Sequence, residues 1–168
     1  MQRSQLEDSD WRVRCNALKA LGSLEPAALA QHAGAMVARL EDSQSNVREV
    51  ALKALAKLEP AALAQHADAV VTKLEDSDRY VRKEALETLA KLEPARFAPH
   101  AGAVIDAWLE LHPDNEYLAR AYGPFCPSAL ERIRALPCYR DIDFVSVDMS
   151  SAAARSRLRS RLLARLRW

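Results

Sequence analysis

A block of 34 residues recurs three times along the first two thirds of this 168-residue chain. Each copy opens with Leu-Glu-Asp-Ser, at Leu6, Leu40 and Leu74. Residues 6–39 and 40–73 are identical at 23 of 34 positions. A fixed period of this length is typical of one supersecondary unit that buries its apolar face only against neighbouring copies. The sequence therefore predicts a stack of repeats and argues against a buried catalytic pocket.

Within each repeat, the pattern predicts two helices separated by a proline. The first helix carries an apolar stripe with a period of 3.6 residues, which in repeat 1 is Val13, Ala17, Leu18, Leu21 and Leu24. Asp-Ser precedes this helix and is expected to cap its start. A Glu-Pro pair then interrupts the chain, because proline cannot continue a helix but fits the first turn of the next one. The second helix could begin anywhere from Pro26 to Gln31, since the segment could first form a short separate turn.

Beyond residue 107 the repeat pattern weakens. We expect an all-α solenoid over 1–137, with repeats at 6–39, 40–73 and 74–107 and a degenerate, capping unit at 108–137. Residues 116–122 and 128–136 are predicted to be helices of that capping unit. An extended connector is expected at 138–150, and a basic amphipathic helix in the tail at 151–168. No covering unit is recognisable before repeat 1, so either its helix pair is exposed on one side or the chain is a segment of a longer array.

An aspartate followed six residues later by the arginine of Val-Arg, then Ala-Leu and a proline-marked second helix, resembles the HEAT-repeat family. The repeats are closest to the short variety found in phycobiliprotein lyase-like proteins, and the resemblance covers about 6–107. It implies a right-handed helical solenoid and a scaffold or adaptor function. It also implies a ladder formed by the aspartates and arginines of successive repeats, for which the matching positions are Asp8/Arg14, Asp42/Arg48 and Asp76/Arg82. Half-exposed pairs of this kind contribute about 0–1 kcal/mol each, so we expect them to set register more than stability.

Catalytic chemistry finds little support in the sequence. His32, His66 and His100 recur once per repeat, but stacked helices would hold them about 10 Å apart, too far to share one zinc ion. The four glycines form no phosphate-binding loop, and no Ser-His-Asp or Cys-His arrangement stands out. We therefore expect no enzyme activity, no metal and no cofactor. A bilin lyase-like enzyme is kept as a third alternative, because it shares the repeat type.

The positions at which the repeats differ are more informative about binding. Trp11, Arg12, Asn46, Arg79 and Tyr80 occupy variable positions at the start of the first helices, on the side expected to face solvent. The variable position of Cys15, Glu49 and Lys83 is expected to lie on the same side. An exposed aromatic beside an arginine is a typical interface anchor. These five residues are therefore candidates for binding another protein. The alternative is that these positions vary freely because the surface contacts nothing. Trp11 could also serve to cover the end of the stack.

Charge is distributed unevenly along the chain. Residues 1–150 carry about −5, whereas the last eighteen residues contain no acid and six arginines, Arg155, Arg157, Arg159, Arg161, Arg165 and Arg167. This tail could pack on the acidic repeats. It could instead recruit the protein to an acidic partner, an anionic membrane surface or nucleic acid, or begin a larger C-terminal region. Three widely spaced cysteines and the lack of an apolar leader predict a soluble, cytoplasmic protein. The leading functional hypothesis is a non-enzymatic protein-interaction scaffold, and recruitment through the tail is the alternative.

Overall fold

The computed structural model describes residues 5–111 and 152–164. The chain divides into two compact bodies, Met1–Glu93 and Pro94–Trp168, each described here by itself. Every regular element in the described ranges is a helix, which confirms the all-α fold class. The first body contains repeats 1 and 2 and the first helix of repeat 3.

In the first body, the first helix of every repeat is eleven residues long. These helices are α1 (Trp11–Leu21), α4 (Ser45–Leu55) and α7 (Arg79–Leu89). The second half of each repeat is broken into short pieces. In repeat 1 they are α2 (Pro26–Ala30), α3 (Ala33–Ala38) and a 3₁₀ turn (Arg39–Glu41), and in repeat 2 they are α5 (Pro60–Ala64), α6 (Ala67–Val71) and a 3₁₀ turn (Thr72–Glu75). The separate short turn that the sequence allowed after each proline is therefore confirmed.

The capping of the first helices differs from the sequence prediction. The side chains of Asp10 and Asp78 accept hydrogen bonds from the backbone amides of Arg12 and Tyr80 and so cap α1 and α7. In repeat 2 the same position is Gln44, whose side chain makes no cap. The aspartate of the preceding Asp-Ser instead accepts the amide two residues on, as Asp42 does from Gln44 at 3.0 Å. That aspartate therefore fixes the turn before the helix rather than the helix start.

Apolar stripes on the first helices form a continuous core. α1 packs on α4 and α4 packs on α7, while α3 and α6 contact the first helix of the following repeat. Leu18, Leu52 and Leu86 occupy equivalent positions on these helices and are fully buried. Each such leucine contributes about 1.5–3 kcal/mol to folding. Stability in this body therefore depends on contacts between repeats, as expected for a solenoid.

Repeat 1 is less well covered than repeat 2. Val13 and Leu24 are only partly buried, whereas Val47 and Leu58, at the same positions in the next repeat, belong to the core. The difference arises because no described element packs on the outer side of α1.

The second body contains α8 (Pro94–Phe97), a 3₁₀ turn (Ala98–His100), α9 (Ala101–Leu111) and α10 (Ala152–Ala164). α9 continues to Leu111, past the repeat boundary expected at residue 107, and the boundaries expected at residues 39 and 73 fall inside the 3₁₀ turns of repeats 1 and 2. The 3₁₀ turns of the earlier repeats lead into Asp42-Ser43 and Asp76-Ser77, and Glu110-Leu111 stands in their place here. Without the turn-forming aspartate, the helix runs on.

The tail forms a helix, α10, that contacts α9 in the second body and buries Leu158. Its apolar and charged residues are not segregated onto opposite faces. The prediction of an amphipathic helix therefore needs correction over 152–164, because arginines alternate with leucines and serines through this stretch. The capping unit expected from residue 112 to 137, with its helices at 116–122 and 128–136, and the connector at 138–150 lie outside the described residues.

Candidate functional site

Two arginines join consecutive repeats of the first body through forked ion pairs. The guanidinium of Arg14 donates to both carboxylate oxygens of Asp42, at 2.8 and 2.7 Å. Arg48 binds Asp76 in the same way, with both distances 2.8 Å. The remaining nitrogen of each arginine donates to a backbone carbonyl of its own repeat, that of Asp8 for Arg14 and that of Asp42 for Arg48. Each arginine therefore fastens the loop before its own helix to the loop before the next one.

These pairs are more buried than the sequence suggested. Only 4% of the Asp42 side chain and 7% of the Asp76 side chain are exposed, with 10% and 13% for Arg14 and Arg48. The expectation of half-exposed pairs is therefore wrong, because the loops of adjacent repeats close over them. Buried charges that lose their partner cost about 3–5 kcal/mol, well above the 0–1 kcal/mol of a surface pair.

The ladder perturbs the ionisation of both aspartates. Burial by itself would raise the pKa of Asp42, but hydrogen bonds from Arg14 and from the Gln44 amide outweigh it and hold the pKa below its ordinary value. The pKa of Asp76 is lowered by the same balance of burial against bonds from Arg48 and the Asp78 amide. Both carboxylates are therefore ionised at neutral pH.

The ends of the predicted ladder are different. Asp8 accepts the amide of Asp10 at 2.8 Å, which is the turn contact that Asp42 and Asp76 also make. Arg82 donates to the backbone carbonyls of Asp76 and Ser77, at 2.7 and 3.1 Å. Two forked pairs between side chains are therefore present among the described residues. Asp8 makes the same turn contact as the paired aspartates, and Arg82 makes the same contact to a backbone carbonyl as the paired arginines.

A second set of contacts between repeats is formed by lysines that sequence reasoning missed. The ammonium of Lys57 donates to the carbonyl of Gly22 at 2.7 Å, and that of Lys91 donates to the carbonyl of Ala56 at 2.9 Å. Gly22 and Ala56 are the C-cap residues of α1 and α4, where unsatisfied carbonyls favour a cation. The signal was present in the sequence, because Ala-Lys-Leu-Glu-Pro occurs twice, 34 residues apart.

An open groove of about 740 Å³ runs across α1, α4 and α7, which are the first helices of the three repeats. We call it the first-helix groove. Trp11 and Cys15 of α1, Asn46 and Val50 of α4, and Glu84 of α7 are among the side chains that line it. All five occupy positions that differ from repeat to repeat. Variable residues of all three repeats therefore line one concave surface, together with shared residues such as Leu18.

Lysine and glutamate side chains cross the middle of the groove. Lys53 of α4 binds Glu49 on its own helix, and its ammonium lies 4.0 Å from the carboxylate of Glu84 on α7. Burial raises the pKa of Glu84, which the nearby charge of Lys53 opposes. The pKa of Lys53 is raised, mainly by its hydrogen bond to Glu49. This network joins adjacent helices. About half of the Lys53 side chain stays exposed.

The five candidate partner-binding residues separate into two groups in the structure. Trp11 and Asn46 line the first-helix groove. The guanidinium of Arg12 lies 4.9 Å from the centre of the Trp11 ring, and that of Arg79 lies 5.7 Å from the Tyr80 ring. Tyr80 is 60% exposed. Arginine–aromatic pairs therefore stand at the start of α1 and again at the start of α7, two repeats away.

One variable position was misjudged. Cys15 was grouped with the solvent-facing positions, but it is buried and its thiol is free. Burial raises the pKa of this thiol, which keeps it protonated. Glu49 and Lys83, at the same position in repeats 2 and 3, are partly exposed.

The arginines of the tail lie partly outside the described range. Arg157 and Arg161 are exposed on α10, one helical turn apart. Arg155 and Arg159 belong to the same helix, and Arg165 and Arg167 lie beyond the described residues. Neither α10 nor any other helix in the described part is long and apolar enough to cross a membrane.

The recurrent histidines occupy the start of the second helices. His32 and His66 are the N-cap residues of α3 and α6, and their imidazoles make no capping hydrogen bond. Within residues 5–111 and 152–164, no group of three or more histidine, cysteine or acidic side chains is placed to hold a metal ion.

Stacked helix pairs with forked ion pairs between consecutive loops define an α-solenoid repeat protein. Family models for HEAT repeats match the chain at residues 33–115, and a model for a single HEAT repeat matches residues 3–27. The chain therefore belongs to the HEAT-repeat family. Neither match indicates the phycobiliprotein lyase-like variety of the repeat. No curated protein matches the chain significantly.

Proposed function

We propose that this protein is a non-enzymatic scaffold that binds a segment of another protein in the first-helix groove. HEAT repeats generally serve as protein-interaction scaffolds. The observation that carries the proposal is that variable residues from all three repeats, among them Trp11, Asn46 and Glu84, line one groove. A partner that distinguishes one repeat from the next would have to contact these positions.

The composition of the groove supports this proposal. Trp11 and Val50 provide apolar contact area, while Asn46 and the half-exposed Lys53 provide hydrogen-bonding groups. Interfaces combine buried aromatic anchors with a polar rim in this way. Arg12 stacks over Trp11 and holds the ring at the edge of the groove.

The test is capture of binding proteins from a cell extract with matched full-length variants. Val50→Arg places a long charged side chain in the groove, and Ala30→Arg places the same side chain on the exposed end of α2. The proposal predicts that Val50→Arg removes proteins that the unmodified chain captures and that Ala30→Arg retains them. Equal capture by both variants would contradict it. Trp11→Ala should weaken the same interactions.

A second candidate function is recruitment through the tail to nucleic acid or an anionic membrane. It is favoured by the exposure of Arg157 and Arg161 on α10, since arginines one turn apart suit phosphate groups. Because Leu158 is buried in the second body, nucleic acid fits this helix better than insertion of leucines into a lipid surface. Binding that weakens steeply with salt and is lost in Arg157→Glu, Arg161→Glu would favour this function. A lyase would require bilin-dependent absorbance, for which we have no structural argument.

A further inference from the structure

We propose that the partner segment held in the first-helix groove is acidic. This inference rests on the proposed function and specifies the chemistry of its partner. Four lysines and two glutamates line the groove, although residues 1–150 as a whole carry about −5. Positive charge is thus concentrated in this groove, although the chain before the tail carries a net negative charge.

Six exposed glutamates of the first body lie outside the lining of the groove. Glu7, Glu25, Glu41, Glu59, Glu75 and Glu93 are all exposed, and none of them lines the groove. The two glutamates that do line it, Glu49 and Glu84, are both engaged by Lys53. The remaining lysines, Lys19, Lys57 and Lys91, therefore determine the sign of the charge that a ligand meets.

These three lysines are placed to receive carboxylates along the groove. Lys57 and Lys91 each use one ammonium proton on a carbonyl of the preceding repeat, and an ammonium carries three donors. Lys57 and Lys91 occupy equivalent positions of adjacent repeats, which helix packing separates by about 8–10 Å. An extended peptide rises about 3.3 Å per residue, so side chains three residues apart match that spacing. Acidic residues at every third position of an extended segment would meet Lys57 and Lys91 in turn, and Lys19 adds positive charge to the same groove.

A protein segment fits this charge better than a nucleic acid does. The excess in the groove is only two positive charges, and the surrounding carboxylates would repel a continuous phosphate backbone. Trp11 and Val50 add apolar contacts beside the lysines, which suit a peptide with apolar side chains among its acids.

The experiment measures binding of a fluorescent peptide with glutamate at every third position and leucine and serine between. A peptide with glutamine in place of every glutamate is the matched control. The full-length protein should bind the glutamate peptide about tenfold more tightly than the glutamine peptide at low salt. The difference should vanish near 1 M salt, where the Debye length is about 3 Å. Equal binding of the two peptides would overturn the inference.

Charge-reversal variants locate the binding. Lys19→Glu should weaken the glutamate peptide about fivefold or more, because Lys19 is an exposed residue that lines the groove. Arg96→Glu makes the same change of charge on an exposed residue outside the groove lining and should leave binding unchanged. Equal effects of the two variants would show attraction to net charge alone and contradict the inference. Tighter, Lys19-dependent binding of a single-stranded oligonucleotide would also contradict it.

The result separates this inference from the proposed function. If Val50→Arg abolishes capture of cellular proteins while the glutamate peptide fails to bind, the groove binds protein and only the acidic character of the partner is wrong. If Val50→Arg has no effect on capture, the proposed function fails whatever the peptide does.

Discussion

Neutralising Asp76 should destabilise the stack far more than a surface ion pair would allow. In Asp76→Asn the side chain keeps its shape but loses its charge, and the Arg48 guanidinium keeps one bond, to the carbonyl of Asp42. Two charge-assisted hydrogen bonds at 2.8 Å are weakened. Only 13% of the Arg48 side chain is exposed. Water therefore cannot solvate the positive charge that has lost its partner. The expected loss is about 3–5 kcal/mol, a large fraction of a typical folding free energy of about 5–15 kcal/mol.

Urea denaturation followed by circular dichroism measures this loss. The control is Arg12→Met, which removes an arginine whose side chain is 70% exposed and lies 3.9 Å from Asp10; it should cost at most about 1 kcal/mol. In a double-mutant cycle, Arg48→Met and Asp76→Asn should show a coupling energy of about 2–3 kcal/mol. A loss below about 1 kcal/mol for Asp76→Asn, or additive single effects, would refute the reasoning.

The same pair should govern acid stability. The folded state holds the pKa of Asp76 below its ordinary value. The stabilisation is therefore complete above the unfolded-state pKa of about 3.9 and is lost as pH falls through the lower folded-state pKa. The unmodified protein should lose more stability than Asp76→Asn between about pH 5 and pH 2. Parallel pH profiles for the two proteins would show that the carboxylate is not responsible.

Three further predictions concern the contacts between repeats and the exposed residues. Lys91→Met should destabilise the protein by about 1 kcal/mol, because it removes the bond to the Ala56 carbonyl; no change in the urea midpoint would contradict this. Leu58→Ala should cost about 2–4 kcal/mol and Leu24→Ala about half as much, since only Leu58 is covered by a neighbouring repeat; equal losses by calorimetry would show that both repeats are equally covered. Tyr80→Ser should change the free energy of unfolding by less than about 0.5 kcal/mol, because the ring is mostly exposed, and a larger change would assign Tyr80 a packing role.

The 34-residue period was sufficient to predict the fold class, because a periodic apolar stripe has few ways to be buried. The family resemblance implied that aspartates and arginines of successive repeats pair, and the structure assigns Asp42 to Arg14 and Asp76 to Arg48. The burial of these pairs could not be inferred, since it depends on how closely the loops of adjacent repeats approach. The contacts of Lys57 and Lys91 were missed because a lysine after a helix resembles an ordinary surface residue until the preceding repeat is in place.

The groove could be predicted from the sequence only in part. The variable positions identified Trp11 and Asn46 as candidates, but their concave arrangement depends on the angle between neighbouring helices, which no residue type encodes. Cys15 was misjudged because its burial likewise depends on how α1 packs against its neighbours. The end of α9 depended on a missing aspartate, a signal that is visible only when the repeats are compared one by one.

Photo-crosslinking from inside the groove tests the central claim most directly. A photoreactive amino acid at position 50, which lines the first-helix groove, is compared in a cell extract with the same amino acid at position 30, which is exposed on α2. The account predicts a discrete protein adduct from position 50, absent from position 30 and lost when Trp11 is changed to alanine. Adducts of equal yield from both positions, or none from position 50 while proteins still co-purify, would show that the groove is not where this protein binds.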